Sequence, residues 1–136
     1  MNECTFCKIG NQEISSHKIY EDDLTFAFLD RHPINPGHIL VIPKRHEPDF
    51  YKLDIDTYTH LMLVVKKLAG IVNSFSEPKK VGIVVAGWDI THAHIHVIPM
   101  HDYNDITSKS VLEGKRANPT TEELSVVADK LRNLFG

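Results

Sequence analysis

"THAHIHVIPM", residues 91–100, sets His92, His94 and His96 at alternate positions, separated only by Ala93 and Ile95. Successive side chains of a strand point to opposite faces, so this alternation puts three imidazoles on one face. Thr91, Ala93, Ile95 and Val97 take the other, and that mostly apolar face suits a core. A strand rise of about 3.3 Å per residue spaces neighbouring imidazoles about 6.6 Å apart. The chain carries nine histidines in 136 residues, yet it is the spacing, more than the number, that needs a reason.

Outward from this stretch the pattern is consistent. "KKVGIVVAG", residues 79–87, is strand-like and ends at Gly87. Before it, Leu61, Val64, Leu68, Ile71 and Phe75 recur at helical spacing and predict a helix over roughly residues 56–75. "HILVIPK" from His38 is a continuous apolar run of strand length, and "RHPINPG" ahead of it is a loop. Residues 17–21 and 24–30 read as two short strands joined at Asp22-Asp23. Beyond Met100 the apolar signal fades, and residues 102–119 are expected to be a mobile loop. A final helix over 120–135 opens with the capping-box pair Thr120 and Glu123 and carries Leu124, Val127, Leu131 and Leu134 on one face. Strands around one long central helix, without βαβ alternation, predict an α+β fold with an antiparallel sheet in a single domain, residues 1–136.

Composition narrows the function classes. Hydrophobic content of 42% and charged content of 24% are those of a globular chain, and a net charge of −3 gives no pull toward nucleic acid or an anionic membrane. "MNECTFCKIG" has neither the basic segment nor the apolar run of a signal peptide, and runs such as "LMLVV" are too short to span a bilayer. A cytoplasmic protein is expected, with Cys4 and Cys7 reduced or holding a metal.

Three chemistries compete for the histidines. They can be a polar strand face. They can bind metal, since i, i+2 imidazoles share a zinc ion through bonds of about 2 Å; His92 and His96 lie about 13 Å apart along a strand, so one ion for all three requires a bend. Or one imidazole serves as nucleophile or base while its neighbours bind an anion. The last two can coexist on different histidines. Cys4-x-x-Cys7 is likewise a redox pair, an idle pair or half of a structural zinc site; a thioredoxin-type pair follows a strand, and none precedes this one. A zinc hydrolase built on His92 and His94 lacks a third ligand and an acid of the H-E-x-x-H kind.

"AGWDITHAHIHVIP", with "CTFC" and "HPINPGHILVIPKRH", resembles the histidine triad nucleotide-binding proteins over roughly residues 3–100. The resemblance implies a compact α+β fold, a two-fold homodimer, a purine nucleotide in a cleft, and cleavage or transfer of a nucleoside monophosphate through a nucleotidyl-histidine intermediate. It makes His94 the nucleophile, His96 the partner on the phosphate or leaving-group side, and His38 the histidine that orients the triad. It gives Phe28 and Asp30 to base and ribose and the Gly87 backbone to the phosphate. Asp89 takes a position where a hydroxyl commonly meets phosphate, which raises a Mg²⁺ ion bridging carboxylate and substrate. Members with this CxxC complete a structural zinc site with two histidines, here His46 and His92.

Val81 and Ile83 stand where family members carry Asn and Gly, Trp88 where they carry Gln, and Met100 where Arg is frequent after the proline. The histidines are intact while the polar wall of the phosphate pocket is remade. A hydrolase or transferase acting on a nucleoside phosphoramidate or a dinucleoside polyphosphate is therefore expected, with a nonenzymatic nucleotide-binding regulator as the alternative. His17 and His60 are read as solvated surface residues, and Phe6, like Phe26, as core.

Overall fold

Five strands form one antiparallel sheet: β1 (Lys18–Glu21), β2 (Thr25–Leu29), β3 (Ile39–Pro43), β4 (Lys80–Val84) and β5 (Ile95–Met100), in the order β1-β2-β3-β5-β4. The helices are α1 (Thr5–Gly10), α2 (Ile55–Ser76), the single turn α3 (Asn104–Thr107) and α4 (Thr121–Phe135). This computed structural model describes residues 4–107 and 117–135. The α+β architecture read from the sequence is the architecture of the structure.

Every residue of β2 and β3 is buried, because helices cover both faces of the sheet centre. Ala27, Leu29, Ile39, Val41, Ile95 and Val97 belong to one apolar cluster with Leu61, Val65, Leu68 and Val72 of α2. Phe26, Phe28, Leu40 and Ile42 form the other with Phe6 and Ile9 of α1. That double burial explains why "HILVIPK" reads as an unbroken apolar run. The long helix starts where the Asp54 side chain accepts the Thr57 N–H and ends at Glu77, whose left-handed backbone (φ 48°) precedes Pro78. At α4 the capping box is reciprocal: Thr120 Oγ1 accepts the Glu123 N–H, and Glu123 Oε1 accepts the Thr120 N–H. No helix among the described residues is long and apolar enough to cross a membrane.

Two expectations change. Strand β5 starts only at Ile95, so His92 and His94 precede it and the single row of imidazoles does not exist. The Ala93 N–H donates to the Glu47 carbonyl at 2.7 Å, tying this stretch to the loop after β3, and β4 supplies no partner beyond Val84. Of the expected mobile loop, Asn104–Thr107 is helical, with Asp105 Oδ2 accepting the N–H groups of His101 and Asp102; residues 108–116 lie outside the described residues.

His60 is not a free surface residue: its Nε2 lies 2.6 Å from Asp22 Oδ2. The same oxygen accepts the Tyr20 hydroxyl at 2.7 Å, while Oδ1 accepts the N–H groups of Leu24 and Thr25. Burial pushes the Asp22 carboxyl up, but these hydrogen bonds outweigh it and hold the group below its ordinary value. A depressed carboxyl stabilises the fold above its unfolded pKa and loses that contribution as pH falls through the folded one. Asp22→Ala should therefore cost about 1–3 kcal/mol at pH 7. Urea midpoints should show the gap to wild type closing below about pH 4; a gap independent of pH would refute the assignment.

Candidate active site and metal centre

Cys4, at the N-terminus of α1, and Cys7, inside it, face His46 from the loop after β3 and His92 from the approach to β5. Their four ligand atoms lie within 4.8 Å of one another. Cys7 Sγ is 3.3 Å from both His46 Nδ1 and His92 Nδ1, and Cys4 Sγ is 3.4 Å from His92 Nδ1. A tetrahedral ion with bonds of about 2.3 Å to sulfur and 2.0 Å to nitrogen separates such atoms by about 3.5 Å. His92 Nε2–H donates to the Pro43 carbonyl at 2.8 Å, leaving Nδ1 as the lone pair that faces the thiols. Burial, aided by nearby His46 and His94, holds the His92 imidazole below its ordinary pKa against the pull of Pro43, which favours the neutral, ligating form. The donor set, the tautomer and the spacing fit a closed Cys₂His₂ site.

Asp30, His38 and His96 also converge, within the same limit, but the hydrogen bonds assign them differently. The Ile34 N–H can only donate, and it meets His38 Nδ1 at 3.0 Å. Neutral His38 must then carry its proton on Nε2, which lies 2.9 Å from His96 Nδ1 and donates to it. Asp30 Oδ2 stands 3.5 Å from His38 Nε2 and 3.9 Å from His96 Nδ1, while its Oδ1 accepts the His32 N–H. A metal on His38 Nε2 would demand an imidazolate, because the other nitrogen already accepts a backbone N–H. This trio handles a proton; the cysteine-containing quartet suits an ion.

The same reasoning fixes the tautomer of His94. His94 Nδ1 lies 2.8 Å from the His92 carbonyl, which can only accept, so Nδ1 carries the proton and Nε2 keeps its lone pair. Because His96 Nδ1 accepts from His38, neutral His96 presents an N–H at Nε2. An imidazole lone pair on His94 and an N–H on His96 thus belong to neighbouring rings, with centroids 5.1 Å apart.

A cleft of about 310 Å³ exposes His94 and His96 beside Gly87, Trp88 and Asp89, with Ile34, Val84, Ile98 and Ile106 among its walls. Gly87 takes φ +68°, a conformation that favours glycine and turns the chain at the cleft edge. Gly37, at φ +98°, does the same for the turn into His38, and a Cβ there would press on the Phe75 ring at 3.1 Å. His38, Asp30 and His96 are thus brought together, as are His94, Gly87 and Asp89. Asp89 is exposed, and among the described residues no second carboxylate lines the cleft with it, so the magnesium bridge gains no support. Phe28 is not on the cleft wall: it is 4% exposed and packs edge-on against Phe6. The aromatic ring that meets His94 is Phe6, at 5.0 Å and nearly perpendicular. Sequence reading left Phe6 in the core; its place between the two cysteines of the CxxC turn was the available signal. The carbonyls of Pro43 and His92, which set two tautomers, carry no sequence signal.

The comparisons agree with this geometry. The family model described as HIT domain matches residues 11–103. An uncharacterized HIT-like protein of Borreliella burgdorferi is 40% identical over 106 residues, covering 73% of this chain and 76% of that protein. A Candida albicans protein named adenosine 5′-monophosphoramidase is 34% identical over 108 residues, 73% of this chain and 71% of its own. Among solved structures, a hypothetical histidine triad nucleotide-binding protein of Sulfolobus tokodaii superposes with TM-score 0.83 at 32% identity over 97% of this chain and 91% of that one. A Zn-bound histidine triad family protein of Mycobacterium smegmatis gives 0.79 at 26% identity over 98% and 93%. With the family model matching most of its length and a 40%-identical relative beside it, the chain belongs to the HIT (histidine triad) family.

Proposed function

We propose that this protein is a nucleotidyl hydrolase or transferase that cleaves a nucleoside phosphoramidate or a dinucleoside polyphosphate at the α-phosphate through a nucleotidyl-His94 intermediate. The observation that carries this reading is the hydrogen bond from His94 Nδ1 to the His92 carbonyl, which leaves Nε2 as a lone pair in the cleft. A neutral imidazole with a free lone pair is a competent nucleophile at phosphorus. Nε2 attacks phosphorus; the bond to the leaving atom breaks with its electron pair, and that atom takes up a proton at the His96 Nε2 side. Water then attacks the N–P bond, releases the nucleoside monophosphate and returns the proton. Gly87 backbone approaches the phosphate, and Asp30 is offered to the ribose. The 34%-identical adenosine 5′-monophosphoramidase supports P–N cleavage.

Zinc is the ion proposed for Cys4, Cys7, His46 and His92. When bound with all four positions filled, it supplies a cross-link between α1, the loop after β3 and the approach to β5. A homodimer and a cytoplasmic location complete the proposal. β4 is a sheet edge, with Ile83 (48% exposed) available to a second copy; sedimentation at micromolar concentration should give twice the chain mass, and a monomer would remove this element. A second reading, a slow nucleotide-binding regulator, is favoured by one feature: no lysine or arginine lines the cleft among the described residues. Acid-free mass spectrometry after brief mixing with an adenylyl phosphoramidate separates the two. An adenylylated peptide containing His94 supports the enzyme; bound AMP with no adduct and no product supports the regulator.

A further inference from the structure

The cleft beside His94 has an unusual wall for a phosphate site. Trp88 is 90% exposed, the most exposed of the large apolar side chains, and it stands on the same cleft as His94 and His96. Fully solvated indoles are disfavoured by the hydrophobic effect, and an exposed apolar group at the rim of a cleft marks contact with something that covers it. Ile34, Ile98 and Ile106 add apolar surface to the same space. Asp89, next in the chain, brings a carboxylate, and no lysine or arginine among the described residues offsets it there. A leaving group with several negative charges, such as a nucleoside diphosphate, would meet that carboxylate in a partly dehydrated slot. An amine would not: with the bond pair and one added proton it departs neutral.

We propose that Trp88 and Asp89 select the leaving group, favouring nucleoside 5′-phosphoramidates of amines that carry a flat aromatic body over both simple alkyl amides and dinucleoside polyphosphates. This rests on the nucleotidyl-His94 reading for its chemistry, but the recognition itself can be measured without turnover. In the step concerned, His94 Nε2 forms the N–P bond, the P–N bond to the amine breaks with its pair to nitrogen, and the amine leaves with one added proton. The indole stacks on the aromatic body, while Asp89 repels anionic competitors.

Trp88 is the sole tryptophan of the chain, so its fluorescence reports the slot directly. In the His94→Ala protein, the adenosine 5′-phosphoramidate of aniline should quench Trp88 emission and bind roughly ten- to hundredfold more tightly than the methylamine analogue, the range of one stacking contact. Calorimetry with Trp88→Gln should show that ratio collapse toward one, and Trp88→Phe should restore most of it. In protein with an intact His94, Asp89→Asn should raise kcat/KM for diadenosine tetraphosphate relative to the anilide by on the order of tenfold. Equal affinity for the two amides, or a ratio unchanged in Trp88→Gln, overturns the proposal. So does emission already blue-shifted in the free protein that moves to the red on dilution, since a second copy then covers Trp88. Selective binding with no hydrolysis of any substrate would sink the catalytic reading and leave the slot assignment standing.

Discussion

His94→Ala should abolish turnover while nucleotide binding survives, with kcat reduced roughly 10⁴-fold or more. The size of the effect comes from the covalent path: without a nucleophile, water must attack the α-phosphate in one hard step instead of two easier ones. Binding should persist because the remaining walls stay in place: Gly87 is held by its own turn, and Asp30, His38 and His96 are held by Ile34, His32 and one another. Calorimetry with AMP and a steady-state assay on the same preparation give the comparison. Residual turnover within tenfold of wild type in pure His94→Ala protein would remove His94 from the nucleophile's role and with it the proposed mechanism.

Loss of the ion should be the second large effect. Purified, unchelated protein should contain about one zinc per chain, and Cys4→Ser should lose most of it. A ligand that binds only the native state adds about 4 kcal/mol when present at a thousandfold above its Kd. For a domain of this size, the melting temperature should then fall by roughly 10 °C or more on chelation. The consequence should extend to the nucleophile, because His92 serves both sites: its Nδ1 faces the thiols, and its carbonyl holds the His94 Nδ1 proton. Chelated protein should therefore lose kcat in greater proportion than it loses affinity for AMP. Elemental analysis without metal, or a Cys4→Ser variant with full metal content, would dismiss the quartet as a zinc site.

The elements with strong periodicity were legible without coordinates. The spacing from Leu61 to Ile71 specified α2 to within a residue or two at each end, because a helix buries every third or fourth side chain and leaves that record in the sequence. "HILVIPK" specified a strand, which the structure covers on both faces, and Thr120 with Glu123 specified the start of α4. Cys4, Cys7, His46 and His92 could be named as one set from the resemblance and the CxxC spacing, although 85 residues separate Cys7 from His92.

Alternation misled at His92 and His94. Period two is what an extended chain shows, but extension does not require a ladder partner, and only the contact of Ala93 with Glu47 reveals that this segment runs outside the sheet. Phe28, expected at the base, joins Phe6 in the core for a similar reason. Both are apolar, and which ring meets His94 depends on how α1 lies across the open face of the sheet, a long-range packing outcome. Trp88 could be seen as a departure from the family, but not as a side chain 90% in solvent on the same cleft as His94. Residue types and their pattern along the chain were enough to name the groups that can do this chemistry and the strands and helices that carry them. Only the tertiary structure decided which nitrogen of each histidine holds a proton, because the deciding partners, the Ile34 N–H and the carbonyls of Pro43 and His92, are backbone groups that every residue has and that folding alone brings into place.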